Sequence, residues 1–310
     1  MNLKKKRILV TGSNGFVGTY MMSYLQKESI YCHGVVRDVK LKPFYIFSIG
    51  DVCDYRFCER VINTNDIDVV IHLAAHAIVG QAARSPIGAF RTNIQGTWNI
   101  LEASRVLGNL DCILIVSTDK VYGEQMNAKE DGPLFGLGSY DVSKRCADLV
   151  AQSYAYNYDL PIVVTRACNI YGYDENSRII PNTIRAILRN ERPIIFKNDE
   201  SSREYIYVED VIDAYLSLIR NIEKTRGNVY NVGSGEVYTQ EEIVKKIIEL
   251  MDRNVEPRYV EKTPDFKEIK KQSLNSNKIF KEIGWKAKYS LEEGLKKTIK
   301  EFEKKFNYGK

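Results

Sequence analysis

Histidine is scarce in this chain: only three occur among 310 residues, at positions 33, 72 and 76. The six cysteines, at 32, 53, 58, 112, 146 and 168, form no Cys-x-x-Cys pair and have no histidine grouping nearby. This argues against a zinc site and for free, mostly buried thiols in a reducing compartment. No apolar run is long enough to span a bilayer, and the stretch after Lys4–Arg7 is too short for a signal-peptide core, so cytoplasmic residence is expected. The excess of charge of one sign is also small. The net charge is +5, and much of it lies in Lys4–Arg7 and in the lysine-rich final helix. With no basic stripe interleaved with aromatics, nucleic-acid binding is disfavoured. Internal repeats and low-complexity linkers are missing. What remains is a globular composition, 44% hydrophobic and 27% charged, long enough for one large or two modest domains.

The apolar run Ile8-Leu9-Val10 leads into Thr11-Gly12-Ser13-Asn14-Gly15-Phe16-Val17-Gly18, and Tyr20, Met21, Met22, Tyr24 and Leu25 then recur at helical spacing. A strand, a glycine turn and a helix in this order make a dinucleotide cradle. Gly12 permits the tight turn, Gly15 lets backbone approach a pyrophosphate, and Gly18 lets helix pack on strand. The next strand, Tyr31 to Val36, should end at the adenosine ribose. Val36 stands where an acidic residue would exclude a 2′-phosphate, Arg37 can face such a phosphate, and Asp38 can take the 2′-hydroxyl. NADP is therefore expected to be tolerated at least as well as NAD. Asp51-Val52, after the run Tyr45 to Ile49, can cap the adenine edge. Asp68 to Ala75 reads as a fourth buried strand whose small end, Leu73-Ala74-Ala75, leaves room for ribose and nicotinamide. His72 reads as a satisfied structural histidine.

Ile113 to Val116 is a short β-branched run, read as a buried parallel strand. It delivers Ser117, Thr118, Asp119 and Lys120 at its carboxyl end, where open α/β sheets bind ligands. From Ser139 the residues Val142, Cys146, Leu149, Val150 and Tyr154 recur at helical spacing, so Tyr140 and Lys144 share one helix face. A cation beside a phenol favours phenolate, and desolvation disfavours both charges, so the pair can bring the tyrosine from ~10 toward working pH as a general base. Alone, Tyr-x-x-x-Lys equally describes a half-buried tyrosine beside a solvated lysine; the surrounding motifs give it weight. Strand neighbours face opposite ways, so the bland alternative for Asp119 or Lys120 is to point away, into solvent or a surface ion pair.

Beyond Tyr140 the chain again alternates strand and helix. Leu160 to Thr165 is a buried strand. Ile180-Pro181 opens a helix from Asn182 to Leu188, and Glu191-Arg192-Pro193 ends it. Thr239-Gln-Glu-Glu242 and Ser290-Leu-Glu-Glu293 are capping boxes that open the last two amphipathic helices.

These residues resemble the extended short-chain dehydrogenase/reductase family, specifically its nucleotide-sugar epimerases and dehydratases. The resemblance rests on residues 11–18, Asp51-Val52, His72-Leu-Ala-Ala75, Thr92-Asn-Ile-Gln-Gly-Thr97, Ser117-Thr-Asp-Lys-Val-Tyr-Gly123, Tyr140-Asp-Val-Ser-Lys144 and Arg166-Ala-Cys-Asn-Ile-Tyr-Gly172. It continues through Arg203-Glu-Tyr-Ile-Tyr-Val-Glu-Asp210, Tyr230-Asn-Val-Gly-Ser-Gly235 and Ile283-Gly-Trp-Lys286, and so spans almost the whole chain. It implies an α/β fold, a doubly wound parallel (Rossmann) sheet binding NAD(P) over residues 1–166 with 203–232 returning to it. A smaller α/β region, 167–202 and 233–310, would bind a nucleoside diphosphate sugar.

Carried over by position, Tyr140 takes the proton of the sugar 4-hydroxyl while C4 passes hydride to the nicotinamide. Lys144 holds the cofactor ribose, Thr118 or Ser117 bonds the sugar oxygen, and Asn93 supports the network. Asn169, Arg178, Arg203 and Glu268 are the implied substrate ligands; at Arg203 a surface salt bridge with Glu204 or Asp210 is the plainer alternative. The family aspartate after Leu274 is Asn275 here. Thr118-Asp119-Lys120 resembles the dehydratase triplet. Its third residue is usually Glu in enzymes of dTDP-glucose, whereas Lys is more like dehydratases of CDP-glucose or the inverting enzymes of UDP-N-acetylglucosamine.

A 4,6-dehydratase is therefore expected, with Lys120 as the base for the C5 proton and Asp119 as the acid for the C6 hydroxyl. The alternatives are a 4-epimerase or 4-ketoreductase, with Asp119 and Lys120 as spectators, and a non-catalytic NAD(P)-binding sensor or scaffold. The helices around 93–107 and 140–156 carry apolar residues on more than one face, among them Trp98, Ile100, Leu149 and Tyr154. By resemblance they imply a homodimer through a four-helix bundle.

Overall fold

Short β-branched runs alternate with amphipathic helices along the first half of the chain, and each run becomes one strand of a parallel sheet. The computed structural model describes residues 1–38, 45–197, 199, 201–261 and 269–308. In chain order the first half comprises β1 (Ile8–Thr11), α1 (Phe16–Lys27), β2 (Cys32–Val36), β3 (Ile46–Ile49), α2 (Tyr55–Thr64), β4 (Val69–His72), α3 (Val79–Arg84) and α4 (Pro86–Phe90). α5 (Gly96–Leu107), β5 (Cys112–Thr118), α6 (Ser139–Tyr158) and β6 (Ile162–Ala167) complete it. The second half contains β7 (Asn169–Tyr171), α7 (Ile179–Leu188), β8 (Ile194–Lys197), β9 (Ser202–Tyr207), α8 (Val208–Arg220), α9 (Ile222–Thr225) and β10 (Val229–Val232). β11 (Val237–Thr239), α10 (Gln240–Leu250), β12 (Arg258–Glu261), β13 (Lys271–Gln272), α11 (Asn277–Ile283) and α12 (Leu291–Tyr308) follow.

Seven strands form one sheet in the order β10-β6-β5-β4-β1-β2-β3, every pair parallel. Chain order reverses between β1 and β4, which opens a crevice at their carboxyl ends. Alternation sends Ile8, Val10, Val69, Ile71 and Leu114 into the core under α1 and α8. Leu9, Val70, Ile113 and Ile115 go to the opposite core under α2, α5 and α6. The sheet is thus doubly wound, as expected.

Smaller sheets build the other region. β11, β9 and β13 pair in that order, β7 joins β9, and β8 pairs with β12. Their core contains Ile184, Ile187, Ile243, Ile247, Leu295 and Phe302. Residues 203–207, expected to begin the return to the large sheet, lie in β9 of this smaller sheet, so the return starts at α8. Both capping boxes form: Thr239 with Glu242, and Ser290 with Glu293, whose carboxylate accepts from Ser290 N at 2.9 Å.

Candidate active site

The glycine turn closes against the end of β4. Gly12 has φ +66°, and a Cβ there would lie 2.9 Å from Ala74 backbone; a Cβ on Gly18 would lie 2.2 Å from the Gly12 carbonyl. Only glycine satisfies both positions. The turn delivers the N-terminus of α1, with its free N–H groups, to the rim of a cavity of about 980 Å³. Gly12, Asn14, Gly15, Phe16, Val17, Gly18, Arg37, Asp38, Asp51, Val52, Leu73, Ala74 and Ala75 all line it. Asn14 Nδ2 donates to the Asp38 carbonyl at 3.1 Å, tying the turn to the end of β2. His72 lies behind this wall, between Thr11 Oγ1 at 2.8 Å and Thr97 Oγ1 at 3.2 Å. Burial lowers its pKa to about 3, with the Lys144 charge adding to the effect. It is a structural histidine.

Asn93 is absent from the cavity wall. The helix expected around 93–107 opens on a π turn, Arg91–Gln95, that holds Asn93. Asn93 accepts from His76 N at 2.7 Å and donates to Ser143 Oγ at 2.8 Å. It therefore braces the loop after β4 against α6 from behind.

The same cavity is lined on its other side by Ser117, Thr118, Asp119, Lys120, Tyr140, Lys144, Asn169 and Arg178. β5 continues through Ser117 and Thr118, and a 3₁₀ turn, Asp119–Tyr122, follows. The strand alternation behind the bland alternative therefore does not reach Asp119 and Lys120, whose side chains lie together, 2% and 12% exposed. Lys120 Nζ lies 3.2 Å from both Asp119 carboxylate oxygens and 2.6 Å from Gln272 Oε1. Thr118 Oγ1 donates to Asp119 Oδ1 at 3.1 Å. Ser117 Oγ is buried and, among the described residues, has no hydrogen-bond partner.

Tyr140 and Lys144 do share a face of α6, but their electrostatics differ from the expectation. Burial pushes the Tyr140 phenol up to about 12, against the Thr118 hydrogen bond and the Arg178 charge, which pull it down. Burial also lowers Lys144 to about 8, and its Nζ donates to the Val116 carbonyl. Desolvation dominates over the cation, so both groups are held toward their neutral forms.

Arg203 differs too. It donates to the carbonyls of Ser202, Ile269 and Lys270 and does not reach the cavity wall. The alternative salt bridges do not form either, since Glu204 accepts from Gly235 N and Leu274 N, and Asp210 from Lys288 N and Tyr289 N. Asn169 Nδ2 donates to the Glu204 carbonyl at 3.0 Å. Arg178 stands beside Asp174, with Nε 3.5 Å from Oδ2. Glu268 lies outside the described residues.

The structure also adds residues that the sequence reading missed. Gln272 is fully buried and reaches the Asp119–Tyr122 turn. Arg166 of β6 makes a two-pronged contact with Asp148, at 2.9 and 3.0 Å, and donates to Tyr122 Oη at 2.8 Å. Asp148 continues the spacing of four that joins Tyr140 to Lys144, and this is the one signal that could have pointed to it.

A doubly wound sheet with a glycine turn at its switch point, a Tyr–Lys pair on one helix face and a hydroxyl-lined cavity defines a dinucleotide-dependent enzyme of the short-chain dehydrogenase/reductase type. The chain matches the NAD dependent epimerase/dehydratase family over residues 8–233. It belongs to that family. Mouse dTDP-D-glucose 4,6-dehydratase is 29% identical over 97% of this chain and 90% of its own length. UDP-glucose 4-epimerase of Thermotoga maritima, solved with UDP-glucose, superposes with a TM-score of 0.89 at 29% identity, covering 96% of this chain and 99% of that one. The dTDP-glucose 4,6-dehydratase of Bacillus anthracis, solved with NAD, gives 0.85 at 27% identity, covering 98% of each.

Proposed function

We propose that the protein is an NAD(P)-dependent nucleotide-sugar 4,6-dehydratase. The observation that carries this reading is the Asp119–Lys120 pair, turned into the cavity beside the Thr118–Tyr140 hydrogen bond. Oxidation at C4 needs only a base and a hydride acceptor, whereas loss of water needs one more base and one more acid.

The cradle from Gly12 to Gly18 would hold the pyrophosphate, Arg37 and Asp38 the adenosine ribose, Asp51 and Val52 the adenine, and Leu73 to Ala75 with Lys144 the nicotinamide ribose. The tight turn that Gly12 and Gly18 permit sets the N-terminus of α1 on the cavity rim, which suits that group. Bound there, the nicotinamide supplies the acceptor for the C4 hydride and the donor that returns it to C6. Its positive oxidised form would also draw the Tyr140 phenol down from about 12.

Tyr140 takes the proton of the 4-hydroxyl, and Thr118 and Ser117 bond the sugar oxygens, the unpartnered Ser117 Oγ being free to do so. Once C4 is a ketone, Lys120 as an amine takes the acidified C5 proton. Asp119 as an acid protonates the C6 hydroxyl; the C6–O bond breaks, and water leaves across a new C5–C6 double bond. Lys120 then returns its proton to C5 as hydride reaches C6. The ammonium–carboxylate pair is the form this couple has after elimination; once Lys120 has returned its proton to C5, the proton that Tyr140 took from the 4-hydroxyl passes through Thr118 to Asp119 and restores the acid. Asn169 and Arg178, on the cavity wall, serve the sugar diphosphate.

The second reading is a 4-epimerase, favoured by the fit to the Thermotoga maritima enzyme. The intact Tyr140–Lys144 pair supports catalysis over a sensor or scaffold. A panel of dTDP-, UDP-, CDP- and GDP-sugars separates the enzymes. The dehydratase gives a 4-keto-6-deoxy product that absorbs in mild alkali without net cofactor consumption; an epimer alone, or a product formed with cofactor consumed, rejects it. The free cysteines suit a cytoplasmic enzyme, and none of the described helices is long and apolar enough to cross a membrane. A homodimer through the outer faces of α5 and α6 completes the proposal.

A further inference from the structure

Lys120 is held from a distant part of the chain. Gln272, 152 residues away, sits at the end of β13, which pairs with β9 of the smaller region. Its amide is fully enclosed. Nε2 donates to the Asp119 carbonyl at 2.7 Å and the Gly123 carbonyl at 2.9 Å, and Oε1 accepts from Lys120 Nζ at 2.6 Å. These contacts allow one amide orientation only, because a flip would set an NH₂ group against an ammonium and an oxygen against two carbonyls. Arg203, opposite Gln272 in the β9–β13 register, fixes the same segment through the carbonyls of Ile269 and Lys270.

A lysine carries a flexible four-carbon stem, and a base that must meet one C–H bond needs its nitrogen placed within about 0.5 Å. Asp119 cannot do this alone, since it is adjacent in sequence and has its own proton to deliver. Gln272 supplies a third point, and its neutrality matters as much as its position. A neutral acceptor holds the ammonium yet leaves Lys120 able to act as an amine, whereas a second carboxylate there would hold the proton on.

We infer that Gln272 is a positioning residue for elimination: it aims Lys120 and keeps that lysine able to exchange its proton, without taking part in oxidation at C4. The inference rests on the dehydratase reading above.

The test compares Gln272→Met and Gln272→Glu with wild type and Lys120→Met. One readout needs no substrate: a pulse of acetic anhydride, with acetylation of Lys120 counted by mass spectrometry. Gln272→Met should raise this acetylation several-fold and Gln272→Glu should lower it. With dTDP-, UDP- and CDP-glucose as probes, both variants should still reduce bound cofactor near the wild-type rate while forming product about tenfold or more slowly. Unchanged acetylation with wild-type product formation overturns the inference, and so does loss of cofactor reduction in step with product in either variant. If Lys120→Met itself turns over like wild type, the dehydratase reading fails instead, and the opposed acetylation shifts still report whether Gln272 holds Lys120.

Discussion

His72 shows how burial sets protonation around the strand ends. Folded, it stays neutral until about pH 3, against 6.5 for an unperturbed histidine. The unfolded chain therefore binds a proton that the folded chain refuses between those values. Stability is full above about 6.5 and falls as pH drops toward the folded value, at up to ~1.4 kcal/mol per pH unit. The denaturant midpoint of the wild type should fall between about pH 7 and about pH 5, and His72→Gln should flatten that limb. An unchanged limb in the variant would assign the acid sensitivity elsewhere. At the same scale, Arg37 and Asp38 both line the cavity where the proposal puts the adenosine ribose. NADP should bind at least as well as NAD when the two affinities are compared; a clear preference for NAD would mark Asp38 as the ribose ligand.

Helix α6 is locked onto the sheet by a buried ion pair. Arg166 and Asp148 have side chains 2% and 0% exposed, and Tyr122 Oη passes from Arg166 to Asn231 Oδ1 at 2.8 Å. The pair thus joins the helix carrying Tyr140 and Lys144 to the turn carrying Asp119 and Lys120. Arg166→Met should cost ~3–5 kcal/mol in chemical denaturation, because Asp148 is left buried and unpaired. The double variant Arg166→Met with Asp148→Met should regain part of that, and a double variant no more stable than the single would contradict the account. This link was not legible in the sequence, where Asp148 and Arg166 stand on separate elements. The strands, the glycine turn, the Tyr140–Lys144 face and both capping boxes were legible, because each is written in local periodicity or in residues three or four apart. The 3₁₀ turn at Asp119 was not, since an apolar run does not say where a strand stops. Ile100 also differs from expectation: it is buried against the sheet, whereas Trp98 and Leu149 remain outward, at 43% and 48% exposed.

Across the whole molecule, the proposed site draws its reacting groups from one region and their supports from the other. The large sheet brings the cofactor cradle, the Tyr–Lys pair and the Asp119–Lys120 turn, and the smaller region brings Arg178 and the Gln272 anchor. The outward apolar residues of α5 and α6 suit a second copy. Light scattering should therefore give a dimer at micromolar concentration, and Leu149→Glu should weaken it; a wild-type monomer would rule this out. The full catalytic cycle is tested most directly by separating oxidation from elimination in three variants given substrate. Tyr140→Phe should never reduce its bound cofactor. Lys120→Met and Asp119→Asn should reduce it, seen as near-ultraviolet nicotinamide absorbance, yet form product ~10²–10⁴ times more slowly than wild type. Near-wild-type turnover in both Lys120→Met and Asp119→Asn would contradict the dehydratase and leave an epimerase or reductase in its place.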